Sequence, residues 1–292
     1  MSEMLSENAL EQNKPKKNFL GMGLVNPVIR KMQKAGEVAA DGEKVATYGG
    51  IAIKTGLFLL ITMLGIVGYF ELQGLFEKSG NIIEAASGIL ALRTTPMGLL
   101  CLLGVIVLTI AMPLLCWLWR GAIPVVGTIY CIAQGYFVGF IADALAPEFK
   151  WLAILSLVLT IALVAGMLFL YSKRIIRVTN KMRSVIITLF VASILGSILM
   201  FVMSLIPGLQ PVALALAKLM DSPAVGVIVG IVFIIIGALM LLVDFDAIEK
   251  CVENRLPKKR EWMAAFGLAY TIIYLYLRIL ELLMKIFGKG KK

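Results

Sequence analysis

The stretch IIIGALMLLVDFDAIEK, residues 234–250, runs apolar for ten residues and then carries Asp244, Asp246 and Glu249 within six. Its first part is greasy enough to sit in hydrocarbon, where an ionised side chain is costly unless it meets a partner or a water-filled cavity. The acids therefore decide two things: where this helix leaves the membrane, and what lies opposite it.

Working outward, apolar blocks of similar length recur at about 51–70, 97–119, 122–142, 151–171, 185–206, 224–243 and 262–284. Each reaches the roughly 20 residues that a helix needs to cross a bilayer core. None has the period-2 alternation of barrel strands, and only helices or closed barrels satisfy backbone groups in lipid. The expected fold class is thus an all-α integral membrane protein with seven transmembrane helices.

The composition agrees. Of 292 residues 60% are hydrophobic, with a mean hydropathy of +0.93, far from a soluble domain. The net charge of +10 does not mark a nucleic-acid binder, because the basic residues cluster in connections between apolar blocks and report orientation instead. With the N-terminus in the cytoplasm, nineteen Lys and Arg fall in the inner segments and four in the outer ones. The tail KIFGKGKK would then lie outside, against the rule. The N-terminus has no apolar stretch of the signal-peptide kind. The expected organisation is a cytoplasmic, partly disordered segment 1–48, a seven-helix domain 49–287 and a basic tail 288–292, in a cell (inner) membrane.

There is no histidine, so the usual general base and near-neutral proton switch are missing. The four cysteines form no CxxC pair, which supports neither a disulfide framework nor a zinc site. Gly135 with Gly139, and Gly226 with Gly230, form GxxxG pairs that allow close helix contact. Pro113 lies within the second block and Pro124, the last residue of the short turn RGAIP, at the start of the third, so a kink is expected there.

Few ionisable groups fall inside the spans. Lys54 opens the first and is expected to snorkel to the headgroups. Asp143 and Glu148 are expected to be solvated. Asp244 lies near the inner end of the sixth span, and Asp246, four before Lys250, is expected to pair with it. On the last span Arg278 falls sixteen residues after Trp262, about 24 Å into the helix. Arg278, Glu281 and Lys285 share one face, so an ion ladder is possible there. The expected latch joins Asp244 of the sixth span to Arg278, with Glu281 nearby, on the seventh. Their depths should differ by roughly 8 Å if the connecting turn is symmetrical.

At these residues the sequence resembles the Bax inhibitor / YccA family, the transmembrane Bax inhibitor motif family, and within it the bacterial branch with a long cytoplasmic N-terminus. The resemblance is carried by NPV at 26–28, KTG at 54–56, QGYFVG at 134–139, RIIRVT at 174–179, LVDFDAIE at 242–249 and EWMAAFGLAYTIIYLYLRIL at 261–280. It implies six helices around a central C-terminal seventh, and a pH-sensitive calcium leak gated by two aspartates on the sixth and seventh helices. Asp244 matches the first aspartate. The second falls at Arg278, where the pattern departs, with the acidic Glu281 one turn on, and Gln134 stands where relatives of the branch carry Glu.

The departure has physical content. Two close carboxyls share a proton and switch near neutrality, whereas a carboxylate facing Arg stays ionised, and the same Arg repels calcium. Two readings follow. One is a pH-sensitive leak for calcium or another cation, with the ion near Asp244. The other is a non-transporting regulator embedded in the bilayer, whose basic loops bind another membrane protein. An enzyme has the fewest parts in this sequence, and no cofactor is called for.

Overall fold

The computed structural model describes residues 44–78, 83–87, 90–118, 122–176, 178–220 and 223–287. Most of the N-terminal segment 1–48 and the tail 288–292 lie outside the described residues. Seven long helices follow the seven apolar blocks: α1 (Tyr48–Lys78), α2 (Pro96–Leu118), α3 (Ile123–Ala144), α4 (Trp151–Ser172), α5 (Asn180–Leu205), α7 (Pro223–Glu253) and α8 (Glu261–Phe287), with a short α6 (Gln210–Met220) before α7. An antiparallel hairpin, β1 (Ile83–Ser87) and β2 (Leu90–Thr94), lies between α1 and α2, in register from Ile83 opposite Thr94 to Ser87 opposite Leu90. Neither α6 nor the hairpin was expected.

Six helices, α1, α3, α4, α5, α7 and α8, are long and apolar enough to cross a membrane. α2 is apolar over the shorter stretch Pro96–Thr109. The chain is a multi-pass membrane protein. α4 and α5 bury least, 17% and 22% of their most apolar windows, whereas α8 buries 61%; the apolar outer faces of α4 and α5 therefore belong to lipid. α8 packs against α7, α1, α4 and α3. Along it an aromatic spine forms, with Phe266 edge-on to Phe58, Tyr130 stacked on Tyr270, and Tyr274 against Phe190 of α5.

The helix ends follow local chemistry. Thr179 caps α5 by accepting from the Met182 amide, and Pro124 occupies the first turn of α3, where an amide donor is not needed. α4 and α7 end in left-handed residues, Arg174 (φ 55°) and Arg255 (φ 50°). In α7 the Arg255 and Leu256 amides donate to Val252 and Cys251, the double bond of a Schellman ending. Pro257 follows and stops the helix.

α1 and α3 approach closely. Gly65 of α1 and Gly135 of α3 face each other: a Cβ on Gly65 would lie 2.5 Å from the Ile132 carbonyl oxygen, and one on Gly135 only 2.8 Å from the Gly65 Cα. Gly139 seats the ring of Tyr69, and on the opposite side Gly230 and Gly237 of α7 seat Leu282 and Leu275 of α8. At Gly135, Gly139 and Gly230, the glycine pairs thus act in packing, as their spacing suggested.

Candidate functional site

The acidic turn of α7 lies within the helix, which runs ten residues beyond the end of its apolar block. Leu241, Leu242 and Val243 are fully buried, and Asp244 is 1% exposed, so the helix is covered on all sides at this level. Neither carboxyl oxygen of Asp244 has a hydrogen-bond partner. Thr271 of α8 faces it, also buried, but its hydroxyl donates to the Gly267 carbonyl at 3.3 Å. A buried carboxyl with Thr271 beside it but no hydrogen bond of good geometry is costly in its charged form.

Arg278 does not answer it. Its guanidinium bonds Glu281 at 2.8 Å and the Ser197 hydroxyl at 3.1 Å, and lies over the rings of Phe233 and Tyr274, at 4.5 and 5.2 Å. The reason is register. The seats of Leu282 on Gly230 and Leu275 on Gly237 align α7 and α8 so that Asp244 stands level with Leu268 and Arg278 with Ile234. The two positions are ten residues apart along α7, about 15 Å, nearly twice the offset that a symmetrical turn implies. The structure brings Arg278, Glu281 and Lys285 together as a ladder on one face, the Lys285 bond being 2.7 Å. It leaves Asp244 apart from them.

Asp246 bonds Lys250 at 3.0 Å, the pairing its spacing suggested, and also contacts Arg183 of α5. Arg183 is 3% exposed. The sequence hid this ion pair, because Arg183 sits in a basic connection where positive charge reports orientation, and nothing local tells such a residue from one that turns inward. Gln134 is buried in α3 and donates to the Thr109 hydroxyl of α2 at 2.8 Å. Asp143, expected to be solvated, accepts from the Tyr69 hydroxyl at 3.0 Å and lies 3.7 Å from Lys150.

Lys54 is a correction. Instead of reaching out to headgroups it bonds Glu261, the first residue of α8 and 0% exposed. Its ammonium also lies 5.2 Å from the Trp262 ring centre. Glu261 further accepts from the Thr47 amide at 2.9 Å and the Thr47 hydroxyl at 3.2 Å. The carboxylate thus ties the start of α1 to the start of α8. Glu261→Gln keeps the shape and removes the charge, so thermal unfolding in detergent should show a loss of about 1.5–3 kcal/mol, the usual worth of hydrogen bonds to charged groups.

Among the described residues no three His, Cys, Asp or Glu side chains come together as metal ligands. The arrangement is a membrane-spanning helical bundle held by ion pairs, some of them buried, with the carboxyl of Asp244 left without a charged partner at the α7–α8 interface. Residues 26–288 match the family described as Bax inhibitor 1 like, and the chain belongs to that family. No curated protein and no solved structure matches it.

Proposed function

We propose that the protein is a pH-sensitive cation leak of the bacterial cell (inner) membrane, with calcium as one candidate ion, and that Asp244 is the group whose proton controls it. In this reading α2 crosses as well, giving seven spans with the N-terminus cytoplasmic, and the process involves no catalytic step and no cofactor. The observation that supports it is the burial of Asp244 at the α7–α8 interface with neither oxygen bonded. As the neutral acid the group is tolerated there. Once ionised it needs water or a cation, and admitting either requires α7 and α8 to part at that level. Arg278, level with Ile234, and Glu281, one turn further, hold the other end of the interface instead of neutralising Asp244.

The test is flux into liposomes loaded with a calcium dye over a pH series. Wild type should leak in a pH-dependent way, and Asp244→Asn, which cannot change charge, should leak equally at every pH. If both proteins give one and the same pH profile, the reading is wrong.

The second reading is a non-transporting regulator of another membrane protein, and it draws on the other charges of the bundle. Lys54 with Glu261, Arg183 with Asp246, and Arg278 with Glu281 are all paired, as suits a fixed scaffold. Crosslinking in native membranes discriminates, because a regulator should be recovered with a partner bound to its loops, and recovery without one leaves this reading unsupported.

A further inference from the structure

A cleft of about 910 Å³ opens at the end of the bundle that holds Tyr48 and the α7–α8 turn. α1 and α4 each pack on α7 and α8, and the cleft lies between them, bounded also by the last turns of α7. Its lining changes character with depth. α1 presents Tyr48 as its first residue and Ile51 almost one turn further in. α4 presents Leu168 and then, nearer its end, Tyr171, with Arg174 just past it. α7 presents Phe245 and then, about one and two turns nearer its end, Glu249 and Glu253. On all three helices the apolar residue is the deeper one, so an amphiphile placed with its chains inward and its head at the rim meets matching surfaces. The α4–α5 link adds Ile176 and Val178 beyond Arg174.

The charge at the rim is mixed and balanced. Among the described residues the lining carboxylates of Asp246, Glu249 and Glu253 are matched by Arg174, also in the lining, and by Arg183 and Lys250, which contact Asp246. Such a cleft offers no net attraction to a basic peptide or an anionic lipid. Yet Arg174 and Glu253 stand on different walls, and neither forms an ion pair with any described residue. Glu249 accepts from the Tyr171 hydroxyl and lies one turn from Glu253. A cation on one wall and two carboxylates on another suit a ligand that carries both signs, with a phosphate for the Arg174 guanidinium and an ammonium for the glutamates.

We propose that this cleft holds the head of a zwitterionic phospholipid with a primary ammonium, of the phosphatidylethanolamine type, drawn from the leaflet on that side of the membrane. The primary ammonium supplies N–H donors to Glu249 and Glu253, which a choline head lacks. Leu168 is 47% exposed on a helix whose outer face belongs to lipid, so the acyl chains leave sideways past it into the bilayer. This proposal does not rest on the leak reading, because the cleft is lined by neither Asp244 nor Arg278.

The test places the full chain in nanodiscs containing phosphatidylethanolamine, phosphatidylcholine and phosphatidylglycerol in equal parts, and counts the lipids that stay bound by native mass spectrometry. Phosphatidylethanolamine should be retained about fivefold over each of the others, within the usual reach of two partly exposed ion pairs. Glu253→Gln should lower that preference, and Glu253→Lys should transfer it to phosphatidylglycerol, a gain that misfolding cannot mimic. A phosphatidylethanolamine carrying a photoactivatable diazirine next to its head should label peptides containing Leu168–Arg174 or Phe245–Glu253. Soluble glycerophosphoethanolamine should not displace it, because the chains supply the rest of the binding. Retention of phosphatidylethanolamine no greater than that of either other lipid overturns the proposal. So do labelling confined to other peptides, a preference that Glu253→Lys leaves unchanged, and displacement by the soluble head, which would assign the cleft to a free zwitterion.

Discussion

Replacing Asp246 with alanine should destabilise the folded protein by about 3–5 kcal/mol, the range for removing one partner of a buried ion pair. The size follows from what is left behind. Arg183 is 3% exposed and Asp246 is its ion-pair partner among the described residues, while Lys250 brings a second positive charge to the same place. Without the carboxylate the guanidinium is buried unpaired, with a lysine repelling it. Thermal unfolding in detergent measures the loss. The double variant Arg183→Met with Asp246→Leu should recover most of it, because exchanging a whole buried pair for apolar residues of similar volume is often close to neutral. A single Asp246→Ala variant that melts with the wild type would mean that Arg183 finds water, and that α5 and α7 are not joined here by charge.

Gly135→Val should be as damaging, through shape and not charge. Any Cβ at this position lands on the Thr62 carbonyl oxygen and 2.8 Å from the Gly65 Cα. Both obstacles are backbone, so no side-chain rotation relieves them, and α1 must move away from α3. Overpacking of this kind costs about 3 kcal/mol at the upper end of its usual range. The separation would also strip contacts from the closely packed α1–α3 pair. Gly166→Ala is the matched control, since a Cβ there meets nothing within 4 Å. Size-exclusion profiles of the two purified variants give the comparison: Gly135→Val should fail to yield a monodisperse peak, and Gly166→Ala should elute as the wild type does.

Much of the fold can be read without coordinates because the bilayer imposes one length scale on every crossing. A block such as 151–171 has to become a helix, and it does, with its bounds moved by a single residue. Gly135 with Gly139 was legible too, because small residues at that spacing have few uses other than close packing. The hairpin and α6 lie in connections where no such length scale acts. The site was legible only in its types of residue. Asp244 stands out in the sequence because a carboxyl directly at the end of a membrane-length apolar run is costly unless it is answered, but what faces it depends on how α8 slides along α7.

What the sequence determined by itself is the succession of long helices, six of them apolar enough to cross a membrane, through block length and hydropathy, and the face shared by Arg278, Glu281 and Lys285, through helical spacing. Charge partners on different helices were decided only by tertiary packing. Leu282 and Leu275 settle on Gly230 and Gly237, and that seating sets Asp244 beside Thr271 and carries Arg278 to Ser197 and Phe233. Likewise Lys54 turns inward to Glu261, and Arg183 to Asp246. The physical reason is that hydropathy acts residue by residue, whereas an ion pair depends on the relative shift of two helices, to which apolar blocks of equal length are indifferent.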